Sequence, residues 1–257
     1  MRLVKTLGYA LALPVLLVLL WWVYTLVETN FYVPEPGEFA TTFVDVWFGD
    51  RFFDDVLPSI GRLLVGLALS ILLGVVVGLV IGSVRWLRNL LEPVLEFFRA
   101  IPPPVLVPVL MLLIGVNDQM KVVVIVLGSV WPVLLNTIEG VRSVDSVMNE
   151  TARSYGIHGW SRIVHLVIPA ASPQMMAGIR QALSIGLILM VISEMFASSS
   201  GLGFTIVQFQ RSFAIPEMWS GIAVLGLIGV VLAFVFQRVE RKVLAWYRGL
   251  KEVENAG

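Results

Sequence analysis

Long apolar runs separated by short polar breaks organise this chain. The runs fall at residues 7–27, 56–82, 105–116, 121–138, 173–196 and 219–236. Most approach the roughly 20 residues that an α-helix needs to cross a hydrocarbon core of about 30 Å. Six membrane-spanning helices are therefore expected. Between the first two runs, Phe39, Phe43, Val46 and Trp47 repeat at helical spacing after Pro34, Pro36 and Gly37. That pattern suits a short helix, lying flat on the membrane or packed on the bundle. Residues 85–99, with Arg85, Arg88 and Arg99, read as a polar segment ahead of the third run. Pro102, Pro103 and Pro104 mark a helix start or an unwound entry, and Pro108 kinks the third run itself. Asn117, Asp118 and Gln119 make a tight turn, and the fourth run bends near Trp131 and Pro132.

The longest polar interruption of the second half, residues 144–169, keeps a helical stripe of its own. Val144, Val147, Met148, Thr151, Ala152 and Tyr155 fall at i, i+3, i+4, i+7, i+8 and i+11. Gly156 and Gly159 then permit a sharp turn, because glycine enters positive φ without strain. A second apolar run, residues 160–168, stops at Pro169. Helix, turn, helix is the expected shape, and its apolar face calls for a cover. That cover is a groove on a partner or the ends of the chain's own spans.

A second pattern lies in the 56–82 run, where Ser70, Gly74, Gly78 and Gly82 recur every four residues. Small residues on one face let helix backbones approach closely, either within one subunit or across a dimer seam.

Composition agrees with the runs: 58% of residues are hydrophobic, 14% are charged and mean hydropathy is +0.88, far from a soluble domain. The protein is integral to the membrane. The first run is long for a signal peptide, ends in Trp21, Trp22 and Tyr24, and lacks a small-residue cleavage site, so it is expected to be retained. Placing the N-terminus in the cytoplasm puts most of the 18 Lys and Arg on that side. The exceptions are Arg51, Arg62, Lys121 and Arg211 in outer segments and Arg180 inside the fifth span. Both termini and the 144–169 stretch are then cytoplasmic.

Zero net charge gives no argument for nucleic acid. The lack of cysteine excludes thiolate chemistry, and with His158 and His165 both in the polar stretch a buried His-based metal site is not expected. Neither histidine stands inside the membrane to serve a nucleophilic serine. No phosphate-cradling loop is present, and no filter or ring of pore charges suggests a channel. An ATPase-independent secondary transporter should show inverted halves or an intramembrane charge network, and the sequence displays neither. Glu194, near the end of the fifth span, is costly there. It is a pathway or gate residue, or a hydrogen-bond partner of the turn at residues 198–203. Ser184, Ser193 and Met190 complete the candidate pathway set on that span. Arg180 is expected to snorkel or to pair with a partner subunit.

Glu150-Thr151-Ala152, then Gly156, then Leu166-Val167-Ile168-Pro169 resembles the EAA loop of binding-protein-dependent ABC importers, with Thr151 in place of an alanine and the two aliphatic types exchanged at 166 and 168. Residues 97–104, 140–145 and 194–203 also resemble the sulfonate, taurine and nitrate branch of these permeases. The resemblance implies an all-α, six-helix, type I (MetI-like) permease in the bacterial inner membrane. It implies a spanning helix and amphipathic segment over 1–55, a permease core over 56–248 and a cytoplasmic tail over 249–257. The subunit would be non-catalytic, without a metal or a cofactor of its own, and would pair with a second copy. A cytoplasmic ABC ATPase dimer would hold ATP and Mg, and an extracytoplasmic binding protein would deliver the solute. Glu150, Thr151, Ala152, Tyr155, Gly156 and Pro169 would couple the permease to that ATPase. The solute would be a sulfonate, taurine, nitrate or similar anion, or else a vitamin or pyrimidine precursor, as related branches import.

Overall fold

A computed structural model of the chain describes residues 2–28, 30–196, 198–247 and 249, with side chains from Ala12 onward. Arg248, Lys251 and the rest of the expected tail beyond residue 249 lie outside the described residues, as does Ala197. Every regular element among the described residues is helical.

Helix α1 (Arg2–Val27) leads to α2 (Pro36–Trp47), and a π turn at Phe52–Val56 feeds α3 (Leu57–Ser83). Next come α4 (Arg85–Arg99), α5 (Leu106–Ile114), α6 (Asp118–Arg142), α7 (Ser146–Ser154), α8 (Gly159–Arg162), α9 (Ile168–Phe196), α10 (Leu202–Arg211) and α11 (Ile215–Val243). Four continuous helical stretches are long and apolar enough to cross a membrane: Phe52–Ser83, Asp118–Arg142, Gly159–Phe196 and Ile215–Val243. Helix α4 and the short helices after it meet that test only when taken together, as a broken span or a re-entrant loop bent by 72°. In α1 the described apolar stretch is Ala12–Val27. The expected count of six thus reduces to four clear spans, this bent pair and a first helix described in part.

The core is a three-helix layer in which α6 lies between α3 and α9. Leu63, Leu67, Val124, Ile125, Val133, Ala182, Leu189 and Met190 fill it. The small-residue stripe of α3 faces α6. A Cβ on Gly74 would stand 2.7 Å from Val133, one on Gly78 2.6 Å from Thr137 and one on Gly82 2.8 Å from Val141. Ser70 turns its hydroxyl back to the Gly66 carbonyl at 2.7 Å. Lipid offers no hydrophobic drive for helix association, so this close van der Waals approach holds the layer together. The stripe is therefore spent inside one subunit.

Three local expectations change, and one open alternative is decided. Residues 85–99 form a helix, α4, because Leu87, Leu91 and Leu95 recur on one face and pack on Ile81, Leu134 and Ile138. Phe98 stacks on Trp131. Only Asn117 is a turn residue at the start of α6, where its Oδ1 caps the helix by accepting from the Met120 N–H at 2.9 Å; Asp118 and Gln119 are already helical. Pro169 ends nothing. Helix continues from Gly159 to Phe196, since a π turn at Ile163–Val167 widens the coil just ahead of the ring. A proline there needs no amide bond to the preceding turn and clashes less with a widened one. Finally, α2 packs on α11: buried Trp47 donates from its indole N–H to Ser220 Oγ at 2.8 Å.

Candidate functional site

Two groups of polar residues stand at opposite ends of α9. At its start is the helical hairpin. Asp145 caps α7 by accepting from the Val147 and Met148 N–H groups at 2.7 and 3.1 Å, satisfying donors that a helix start leaves open. The helix closes with Gly156 N–H donating to Arg153 O and Ile157 N–H to Ala152 O, a C-terminal cap that requires a left-handed residue. Gly156, at φ +72°, supplies it, and Gly159 at +54° completes the turn into α8. The Arg162 guanidinium donates to Asn149 Oδ1 at 2.6 Å and ties the two arms together.

The hairpin's base is anchored by Val141, Val167, Ala171 and Met175, which pack against Val75 and Leu79. Gly140 lets α6 cross α9 there, since a Cβ would stand 2.9 Å from the Ala171 carbonyl. Of the predicted stripe, Ala152 is buried. Val147, Met148 and Tyr155 are 67%, 51% and 80% exposed, and Trp160 beyond the turn is 74% exposed. Glu150 and Thr151 point outward too, whereas Pro169 is half-buried at the base. The chain's own spans leave most of that stripe open.

At the far end of α9, the Glu194 side chain is completely buried. Its carboxylate receives Arg62 Nη1 at 2.6 Å and the Gly203 N–H at 3.0 Å. Ser59 Oγ lies 2.7 and 2.8 Å from its two oxygens, accepts from the Leu202 N–H at 2.9 Å and is 2.8 Å from the Asp55 carbonyl. Arg62 also pairs with Asp118 through Nε at 2.9 Å. Lys121 reaches Asp118 at 3.3 Å and Ser198 Oγ at 2.8 Å. Asp55 Oδ1 accepts from the Gly201 N–H at 3.0 Å. Arg62 and Lys121, expected in outer segments, are instead buried in α3 and α6.

A buried charge network therefore exists at this end of the helices, where the sequence displayed none. It joins α3, α6, α9 and the start of α10. The signal lay in Asp55, Ser59 and Arg62, which at i, i+4 and i+7 share one helix face. An arginine in the first turns of an apolar run needs an anion, and Glu194 was the available one. The turn at 201–203 fits the carboxylate tightly. Gly201 has φ +115°, and a Cβ there would come within 2.6 Å of the Glu194 carboxyl carbon.

The other candidates separate. Met190 and Ser193 are buried in the core, with Ser193 Oγ donating to the Met190 carbonyl at 2.9 Å. Ser184 opens onto a cleft of about 370 Å³ between α9 and α11 that Arg180 and Gln237 also line. Arg180 pairs with Glu240 of the same chain and lies over the Phe236 ring, so its partner is internal. Beside the hairpin, a groove of about 270 Å³ between α4 and α6 carries mixed charge from Arg88, Glu92, Glu96, Arg99, Glu139 and Arg142. No group of three or more potential ligands able to hold a metal occurs among the described residues.

The fold resembles that of the methionine ABC transporter MetNI in inward-facing conformations, with a TM-score of 0.62 at 18% identity over 74% of this chain and 94% of that one. In sequence, the chain is 30% identical to the putative aliphatic sulfonates transport permease protein SsuC of Escherichia coli, over 91% of this chain and 90% of the relative. It is 27% identical to the taurine transport system permease protein TauC of the same organism, covering 91% and 88%. It is 31% identical to the riboflavin transport system permease protein RibX of Chloroflexus aurantiacus, covering 92% and 90%. Residues 70–245, which include the hairpin and Glu194, match the family described as binding-protein-dependent transport system inner membrane component. The chain belongs to that family.

Proposed function

We propose that the chain is the pathway-forming permease subunit of an ATP-driven importer for a small organic anion of the sulfonate and taurine kind. The observation that carries the reading is the hairpin. A capped, braced helix pair displays Val147, Met148, Tyr155 and Trp160 away from the bundle, which is the form of an apolar face that docks in a partner's groove. The partner is a cytoplasmic ATPase dimer that holds ATP and Mg, and this chain binds no cofactor itself. Glu150, Thr151, Ala152, Tyr155, Gly156 and Pro169 form the coupling element, Ala152 and Pro169 from its packed side. Two permease copies enclose the pathway in the inner membrane, both termini are cytoplasmic, and an extracytoplasmic binding protein delivers the solute. The relatives named for sulfonates and taurine support the anion.

A second reading, a neutral aromatic solute such as a vitamin precursor, is favoured by the riboflavin-named relative and by the cleft beside Ser184, whose guanidinium is already paired. Purifying the chain with its native partners and measuring the thermal shift of the copurifying binding protein with taurine, alkanesulfonates and riboflavin tests both. An ATPase and a binding protein stabilised by a sulfonate are the expected result. Absence of any ATPase from the complex overturns the reading.

A further inference from the structure

Between α2, the π turn, α3 and α11 runs a groove of about 630 Å³, walled by Phe43, Trp47, Phe52, Val56, Ile60 and Val231 among others. Its walls are almost entirely carbon. The indole N–H of Trp47 is already given to Ser220 Oγ, so water would find few partners inside, and apolar cavities of that kind stay dry. The groove lies between α3 and α11, both long and apolar enough to cross a membrane. One acyl chain is thin enough to follow a groove of this kind, and the charge beside it distinguishes the occupant.

The groove's edge carries a cation. Arg51 immediately precedes Phe52 and Phe53, which form part of the wall. Its guanidinium stands 5.0 Å from the centre of the Phe209 ring, and Phe209 packs in one cluster with Trp47, Val56, Val224 and Ile228. The side chain is 44% exposed, and its carboxylate neighbour Asp55 is 3.6 Å away. A single contact at that distance leaves most of the five guanidinium N–H donors for a further anion. Asp50 and Asp54, flanking it in the chain, are exposed.

We propose that this groove holds an acyl chain of one phospholipid whose phosphate meets Arg51, and that Asp50 and Asp54 favour a headgroup with its own ammonium, phosphatidylethanolamine, over an anionic one. The site combines an apolar slot, a cation next in the chain to its wall and two exposed carboxylates close to that cation in sequence. It uses neither the hairpin nor the Glu194 network.

Native mass spectrometry of the full chain in mild detergent, titrated with phosphatidylethanolamine or phosphatidylglycerol of matched acyl chains, tests the site. One retained phosphatidylethanolamine per chain is expected, held about tenfold more tightly than phosphatidylglycerol. Val231→Trp and Leu227→Trp each put an indole into the slot and should abolish retention, while Arg51→Gln should weaken it about tenfold. Thermal melting of each variant establishes that it is folded. Retention unchanged in both slot-filling variants overturns the proposal, as does equal binding of the two lipids. Conversion of a dimer to a monomer by either tryptophan, with the lipid count unchanged, would make the groove a seam between copies and overturn it as well.

Discussion

Arg62 stands 2.6 Å from Glu194, one from the first turns of α3 and the other from the last turns of α9, and both are buried. Neither charge is tolerable there without the other. Removing one partner of a buried pair costs about 3–5 kcal/mol, because an uncompensated charge remains.

Glu194→Gln should therefore lower the thermal stability of the detergent-purified protein markedly. Arg62→Met combined with Glu194→Leu should cost much less than the sum of the two single changes, although every variant without the arginine also loses its pair with Asp118. Melting temperatures of the four members of the cycle measure this. If Glu194→Gln melts with the wild type and only transport fails, the carboxylate serves the pathway and not the scaffold.

Gly201→Ala meets two obstacles together: φ of +115° and a carboxylate 2.6 Å from the new methyl group. Gly226→Ala meets nothing within 4 Å in a helical position and should be neutral or stabilising by about 0.5–1 kcal/mol. Expression and melting of the pair give the contrast, and equal behaviour would remove the tight-turn account.

Gly156→Asp should fold and insert normally. Nothing in this chain lies within 4 Å of a Cβ there, and left-handed φ costs about 1–2 kcal/mol, aspartate being among the better-tolerated residues. Copurification with the ATPase should be lost all the same. Retained assembly and uptake would take the hairpin out of coupling.

Gly78→Leu should disrupt the bundle itself. Its Cβ would lie 2.6 Å from Thr137 and 3.0 Å from the Leu134 carbonyl, and a backbone oxygen cannot swing aside as a flexible side chain can. Loss of a monodisperse species on size exclusion is expected, while Gly61→Leu, with open space around it, should remain well behaved.

Periodicity and composition made the apolar helices, the close-packed α3 face and the hairpin readable, since each is a local pattern. Features that depend on two distant segments were harder to read. Arg62 was counted only as an outer-side charge until α9 brought Glu194 beside it, although an arginine near the start of an apolar run was already a warning. Helix α4 was hidden because its charges and Pro93 outweighed a leucine face that has meaning only against α6. Pro169 looked like a stop because its ring usually clashes with the preceding turn, and the π turn that relieves the clash leaves little trace in residue type.

That relief has a mechanical consequence. With no break at Pro169, Gly159–Phe196 is one 38-residue rod, roughly 57 Å long at 1.5 Å per residue. One tip carries the turn at Gly159 and the other the ionic knot at Glu194. A continuous helix of that kind would carry a displacement at the hairpin toward the far tip as tilt, about the close glycine contacts that α6 makes with α3 and α9.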